Sequence, residues 1–212
     1  AILARRRLLW LRQRACPHML PAYRSGSTGA DNQQKENVMT ISLYDAVIPT
    51  QLQIIAAVRA LVDEAKAHCE EKGMAPEEII GARLIEDMLP FSYQVKCCRE
   101  HSLGAIEGVR EGVFTPSLTP PPEDWAGLYE KLDEAKAGLE AVSEAEMAGF
   151  VGQHMEFRFK DAVMPFTAEN FLLSFAQPNF YFHATTAYDL LRERGLRIGK
   201  RDFLGMPRMK IA

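Results

Sequence analysis

The chain has 212 residues, enough for one domain with a core and too few for two comfortable ones. Its hydrophobic fraction of 47% and charged fraction of 25% are ordinary globular values. A formal net charge of −3 supplies no basic excess to neutralise phosphates, which argues against a nucleic-acid partner. No uninterrupted apolar run approaches the roughly 18 residues of a membrane span, so no membrane association is expected.

Residues 1–38 differ from the rest. "AILARRRLLWLRQRACPHMLPAYRSG" is rich in arginine, and its first acidic successor is Asp31. It runs into "STGADNQQKEN", too polar to order itself by burial. Such an acid-poor, arginine-rich leader is similar to a mitochondrial transit peptide. The reading adopted is a disordered or dispensable leader on a cytoplasmic protein, with a mitochondrial address if residues 1–38 are a genuine transit peptide. The domain is then residues 39–212.

From Ser42 the helical period dominates. Tyr44, Ile48, Gln51, Ile55, Val58, Val62 and Ala65 recur every three or four residues, one face of a long helix. Ser42 is its N-cap and Gly73 its left-handed stop, while Pro49 bends it or delays its start. Pro76 opens a short helical turn. The second long helix has a seam of Leu84, Met88, Phe91, Val95, Cys98, Ser102, Ala105 and Val109, interrupted early by Pro90. "FTPSLTPPPED" is a proline-made loop, and the third helix starts near Asp124. Trp125, Leu128, Leu132, Ala135, Leu139 and Val142 form its seam, with Glu130, Lys131, Asp133, Glu134 and Lys136 on a solvated face.

Between residues 150 and 167 "HMEFRF" alternates and "AVMPFT" ends the pattern, which predicts a β-hairpin. Thr167 caps a fourth helix over about 168–194 that bends at Pro178 and stops at Gly195. "LRIGKRDFLG" reads as an extended tail. Four long helices with one hairpin insertion predict an all-α four-helix bundle.

The cysteines, Cys16, Cys69, Cys97 and Cys98, include no C-x-x-C pair, so reduced thiols are expected. The chemistry-bearing positions lie inside apolar faces. On the fourth helix Asn179, His183 and Thr186 interrupt the stripe Leu172, Ala176, Leu190. A buried polar group without a hydrogen bond costs about 1–3 kcal/mol. These three must therefore satisfy one another, meet partners across the bundle, hold water or bind a ligand. On the second helix Asp87, Gln94 and His101 fall seven apart, on one line. His101 and His183, each midway down its helix, can share a metal or a proton. Cys97 lies four residues before His101, a chelating spacing, although the leading reading of Cys97 is a small buried hydrophobe. The predicted pocket is His101, His183, Asn179, Thr186, Asp87 and Gln94.

"SLYDAVIPT", "ARLIEDMLPFSYQV" and "FAQPNFYFHATTAYDLLRERGLRIGKRDFLG" resemble the signature blocks of a domain-of-unknown-function family. That family belongs to the DinB/YfiT-like superfamily of metalloenzymes, and the likeness spans Met39 to Gly205. It implies a DinB-like four-helix bundle, a homodimer, and a divalent metal such as zinc or nickel. In better-understood relatives three histidines hold the metal, one on the second helix and an H-x-x-x-H pair on the fourth. Some of those relatives are S-transferases or isomerases working with small thiols. His101 matches the first ligand and His183 the second, but the third falls at Ala187, which cannot coordinate. Cys97, Asp87 or Tyr188 would have to complete the set. The expectation is a degenerate site in a small-ligand-binding or interaction module. The alternative is a metal-dependent enzyme of the thiol S-transferase or isomerase type, with its site between the second and fourth helices.

Overall fold

The computed structural model describes residues 41–210, and the leader expected over 1–38 lies outside them. The chain within the described residues is mostly helical, with a small three-stranded sheet. Helix α1 (Leu43–Lys72) begins where the Ser42 hydroxyl accepts from the Asp45 N–H and ends where Gly73 turns left-handed, φ 63°. Pro49 sits inside it without ending it. Val47, Ile48, Ile55, Val58, Val62 and Ala65 are buried along one face. By length and composition α1 would also cross a membrane, yet half of that stretch is buried against the rest of the protein, as befits a core helix.

Helix α2 is the short turn Pro76–Ile80. The second long helix departs from expectation at both ends. Residues 81–90 form no helix; Leu84 and Ile85 are exposed, and the helix proper, α3, is Phe91–Glu100. Pro90 explains the start: it lacks an N–H and drives its predecessor out of the helical region, so it caps α3 rather than sitting within it. The chain breaks again at His101 and Ser102 before α4, Leu103–Glu111. The Ser102 hydroxyl donates to the Cys98 carbonyl at 2.6 Å, a local alternative to the helical ladder.

Gly112, φ 73°, then turns the chain into β1 (Val113–Phe114). Phe114 lies so close to α4 that a Cβ on Gly108 would come within 2.9 Å of the Phe114 Cβ. Helix α5 (Trp125–Glu140) is capped by Asp124, whose carboxylate accepts from the Gly127 N–H at 2.8 Å; Leu128, Leu132, Ala135 and Leu139 are fully buried. A short α6 (Glu144–Phe150) follows. The predicted hairpin is β2 (His154–Phe159) and β3 (Ala162–Thr167), antiparallel with His154 opposite Thr167. The unpredicted β1 pairs parallel to β2, Phe114 opposite Phe157, giving the order β1-β2-β3.

The fourth helical segment is not simply bent. After the turn α7 (Ala168–Asn170), residues Phe171–Ala176 adopt the wide π-helical form and pass into α8, Gln177–Glu193. The wide turn lies just before Pro178, whose ring would collide with the carbonyl four residues earlier in a regular α-helix. The C-terminal stretch is a correction: it is not extended throughout but contains a helical turn, α9 (Lys200–Leu204), started by the Asp202 carboxylate accepting from the Gly199 N–H at 2.6 Å. Helix α1 packs on α5 and α8, α3 packs on α5 and α8, and α9 lies on α1. The seam between α3 and α8 carries the polar side chains.

Candidate metal centre

Tyr93, Cys97 and His101 are spaced by four on α3 and its C-cap, so they share one face. His183 comes to that face from α8. The ligand atoms of Cys97, His101 and His183 all lie within 4.8 Å of one another. The two imidazoles stack with centroids 5.4 Å apart and planes 8° from parallel. The hydrogen-bonded helix ends at His101, whose backbone N–H still donates to the Cys97 carbonyl.

Aromatic rings pack round the group. Phe114 from β1 lies 5.7 Å from His101 and Phe175 from the π-turn 6.2 Å. Tyr93 and Phe182 meet His183 edge-on at 6.1 and 5.2 Å. Phe157 from β2 packs on Phe175 at 4.9 Å, so the sheet and the π-turn together build one wall.

Burial sets the protonation states of the metal-free group. Burial first, and then the neighbouring His183, push His101 down to about 3. Burial pushes His183 down to about 4. Burial and then the Glu100 carboxylate push the Cys97 thiol up to about 12, against a hydrogen bond from Tyr93 and the charge of Lys96. At neutral pH the three are a thiol and two neutral imidazoles. His183 has a partner, since its Nδ1 lies 2.7 Å from the Gln94 Oε1. His101 Nδ1 is buried with no hydrogen-bond partner.

This group fits a metal. Thiolate and imidazole are zinc-type donors, three are the number a catalytic site uses, and the partnerless His101 nitrogen is what a cation would satisfy. Ala187 is buried in the apolar core, and the third side chain of the group is Cys97, from the other helix.

The other expected pocket residues are placed differently. Gln94 is buried and touches His183. Asn179 donates to the Phe175 carbonyl at 2.7 Å and Thr186 to the Phe182 carbonyl at 2.8 Å, so each is satisfied within its own helical segment. Asp87 is exposed on the loop before α3, because Pro90 ends the helical line that would have carried it. Tyr188 packs on Phe203 of α9 at 5.8 Å. Sequence reasoning missed Tyr93, whose four-residue step to Cys97 was the available signal.

A second feature lies on another face of α3. A cleft of about 310 Å³ is lined by Lys96, Arg99, Glu100, Glu107, Phe114 and Glu134 among others, and by none of the three donors. Glu134, expected on a purely solvated face, is half-buried here and pairs with Arg99.

Comparison with known proteins agrees with this architecture. A family model described as "Domain of unknown function (DUF1993)" matches residues 43–204. Among solved structures, the chain is similar to a DinB family member protein from Shewanella denitrificans. The two are 25% identical, with a TM-score of 0.68 over 80% of this chain and 96% of that one. No curated protein matches.

Proposed function

Since the chain belongs to the DUF1993 family of domains of unknown function and has a DinB-like helical fold, we propose that it is a metal-dependent enzyme. In this reading α1, α3 with α4, α5 and α8 are the four helices of a DinB-type bundle. Its centre is Cys97, His101 and His183. The observation that carries the reading is the approach of three donors to within 4.8 Å beside a buried, partnerless His101 nitrogen.

Zinc or nickel bound here would supply a Lewis acid with a position left for an exogenous donor. The protein's own residues do the rest. With the ion bound, Cys97 would release its proton to solvent and act as a thiolate, and the Tyr93 hydroxyl, hydrogen-bonded to that sulfur, would steady it. His101 and His183 are held neutral by burial and so offer lone pairs without competition from protons. Phe114, Phe175 and Phe182 keep the surroundings apolar, which strengthens electrostatic contacts with a ligand. A non-catalytic module without metal has less support, because its basis was the missing donor at Ala187.

Metal uptake tests the proposal. Apo protein titrated with zinc or nickel should take up about one equivalent, and Cys97→Ala, His101→Ala and His183→Ala should each weaken it at least tenfold. Absence of saturable uptake by the parent protein would overturn it.

A further inference from the structure

The pair of hydrogen bonds on Gln94 has a consequence for His183 beyond its place in the donor set. Gln94 is 2% exposed, so water does not compete for its amide. Its Nε2 donates to the Leu89 carbonyl at 2.9 Å, and its Oε1 lies 2.7 Å from His183 Nδ1. A backbone carbonyl can only accept. Turning the amide over would set two oxygens against each other at Leu89, so the amide has one orientation. The oxygen facing His183 then also only accepts, and Nδ1 must carry the hydrogen. A neutral imidazole has one N–H, which leaves the lone pair on Nε2.

We infer that Gln94 is a positioning residue: anchored by the Leu89 carbonyl, it commits His183 to the Nδ1–H tautomer and leaves Nε2 as the ring's donor atom. The Leu89 carbonyl precedes Pro90, the N-cap of α3, so the start of the helix and the chemistry of its partner's histidine are joined by one side chain. The tautomer claim stands on the hydrogen bonds alone. Its use in holding an ion rests on the metal reading above.

The test separates the two. Long-range ¹H–¹⁵N correlation spectra of metal-free protein at neutral pH report which ring nitrogen carries the proton, with His183→Gln assigning the signals. The parent should show a protonated Nδ1 and a pyridine-like Nε2. Gln94→Leu should mix the tautomers, and Gln94→Glu, whose buried carboxyl stays protonated, donates that proton to the Leu89 carbonyl and keeps its other oxygen as an acceptor, should restore Nδ1–H. In a zinc titration Gln94→Leu should bind about 10–100-fold more weakly than the parent, with Gln94→Glu close to it. A protonated Nε2 in the parent overturns the inference even if zinc binds. The expected tautomer in a parent that takes up no zinc supports the role of Gln94 and sinks the metal reading instead. Should Gln94→Leu fail to fold, the parent and Gln94→Glu spectra still decide.

Discussion

Two faces of α3 carry polar side chains, and they are built on opposite principles. One face presents Lys96, Arg99 and Glu100, and every charge is matched. Lys96 is 4% exposed, and its ammonium spends its three donors on the Ser117 and Thr119 carbonyls and on Glu100 at 3.1 Å. That distance makes the Glu100 Oε1 an ion-pair partner even though the angle is poor for a directed hydrogen bond. The Arg99 fork holds Glu107 through two bonds of 2.8 and 3.0 Å and reaches Glu134 on α5. The other face presents Gln94, Cys97 and His101. It is neutral and, at His101 Nδ1, incomplete. The charged face lines the cleft, yet each charge that α3 puts there already has an opposite charge beside it. A set of mutually paired charges joins α3, α4 and α5, whereas a set of neutral donors with no counter-charge is available to a cation. The room beside a side chain is a weaker guide to chemistry than the bonds that side chain still lacks.

The largest expected effect is one of pH on the neutral face. Both imidazoles have folded values well below 6.5, their ordinary value. Between that value and about 4 the unfolded chain therefore binds more protons than the folded one, and stability rises with pH over this interval. The contribution is fully present above about 6.5 and is lost as pH falls towards 4 and then 3. From pH 7 to pH 5 the metal-free protein should lose about 2–4 kcal/mol by denaturant unfolding, since each histidine kept neutral contributes up to about 1.4 kcal/mol per pH unit. His101→Gln should remove about half of that dependence, because His183 still contributes. An unchanged slope in this variant would show that the fold does not hold His101 neutral, and would remove half of the contrast between the faces.

On the charged face Arg99→Met should cost about 2–3 kcal/mol with little dependence on pH between 7 and 5. The orphaned Glu107 and Glu134 side chains are 41% and 39% exposed and recover part of their solvation, which keeps the loss below that of a fully buried pair. Zinc uptake should survive. A large fall in metal affinity in this variant would mean that the faces act as one unit.

How much of this contrast the sequence shows depends on range. The seams of α1 and α5, the caps at Ser42 and Asp124 and the stop at Gly73 follow from local spacing, and the structure has them. Strand alternation marks the hairpin equally well. His101 and His183 could be brought together from the sequence because each falls midway along its expected helix, His183 within an apolar stripe and His101 on a polar line beside one. The break after His101 could not be read, since Ser102 fits the helical period and leaves it only through a bond to the Cys98 carbonyl. Asp87 was misplaced by extending the period through Pro90. Strand β1 depends on a partner more than forty residues away in sequence, and two residues carry no period of their own. The Arg99 pairs join three helices, so "KLDEAK" alone reads as a solvated face. Gln94 falls on the right helix, but its role needs the Leu89 carbonyl and the His183 ring at once.

The smallest effect on the fold should come from Cys97→Ala, and that is its value. Cys97 is 1% exposed and uncharged at neutral pH, so its removal deletes one sulfur's packing and leaves no stranded charge. The Tyr93 hydroxyl loses its sulfur partner, but Tyr93 is only partly buried and water can replace the contact. About 1 kcal/mol is the expected cost in metal-free protein, the range of a small core truncation. The same change removes the only sulfur donor and should weaken zinc at least tenfold. Cys97→Ser, which keeps the shape and replaces a soft donor with a hard one, should leave the fold as stable and the affinity nearly as low. Arg99→Met and Cys97→Ala would thus dissociate the two faces in opposite directions, one losing stability and keeping metal, the other keeping stability and losing metal. Parent-like zinc affinity in Cys97→Ala would remove the thiol from the centre, leaving two imidazoles, too few for a catalytic zinc site. A loss of 3 kcal/mol or more without metal would instead make Cys97 a packing residue, as much a part of the fold as Arg99.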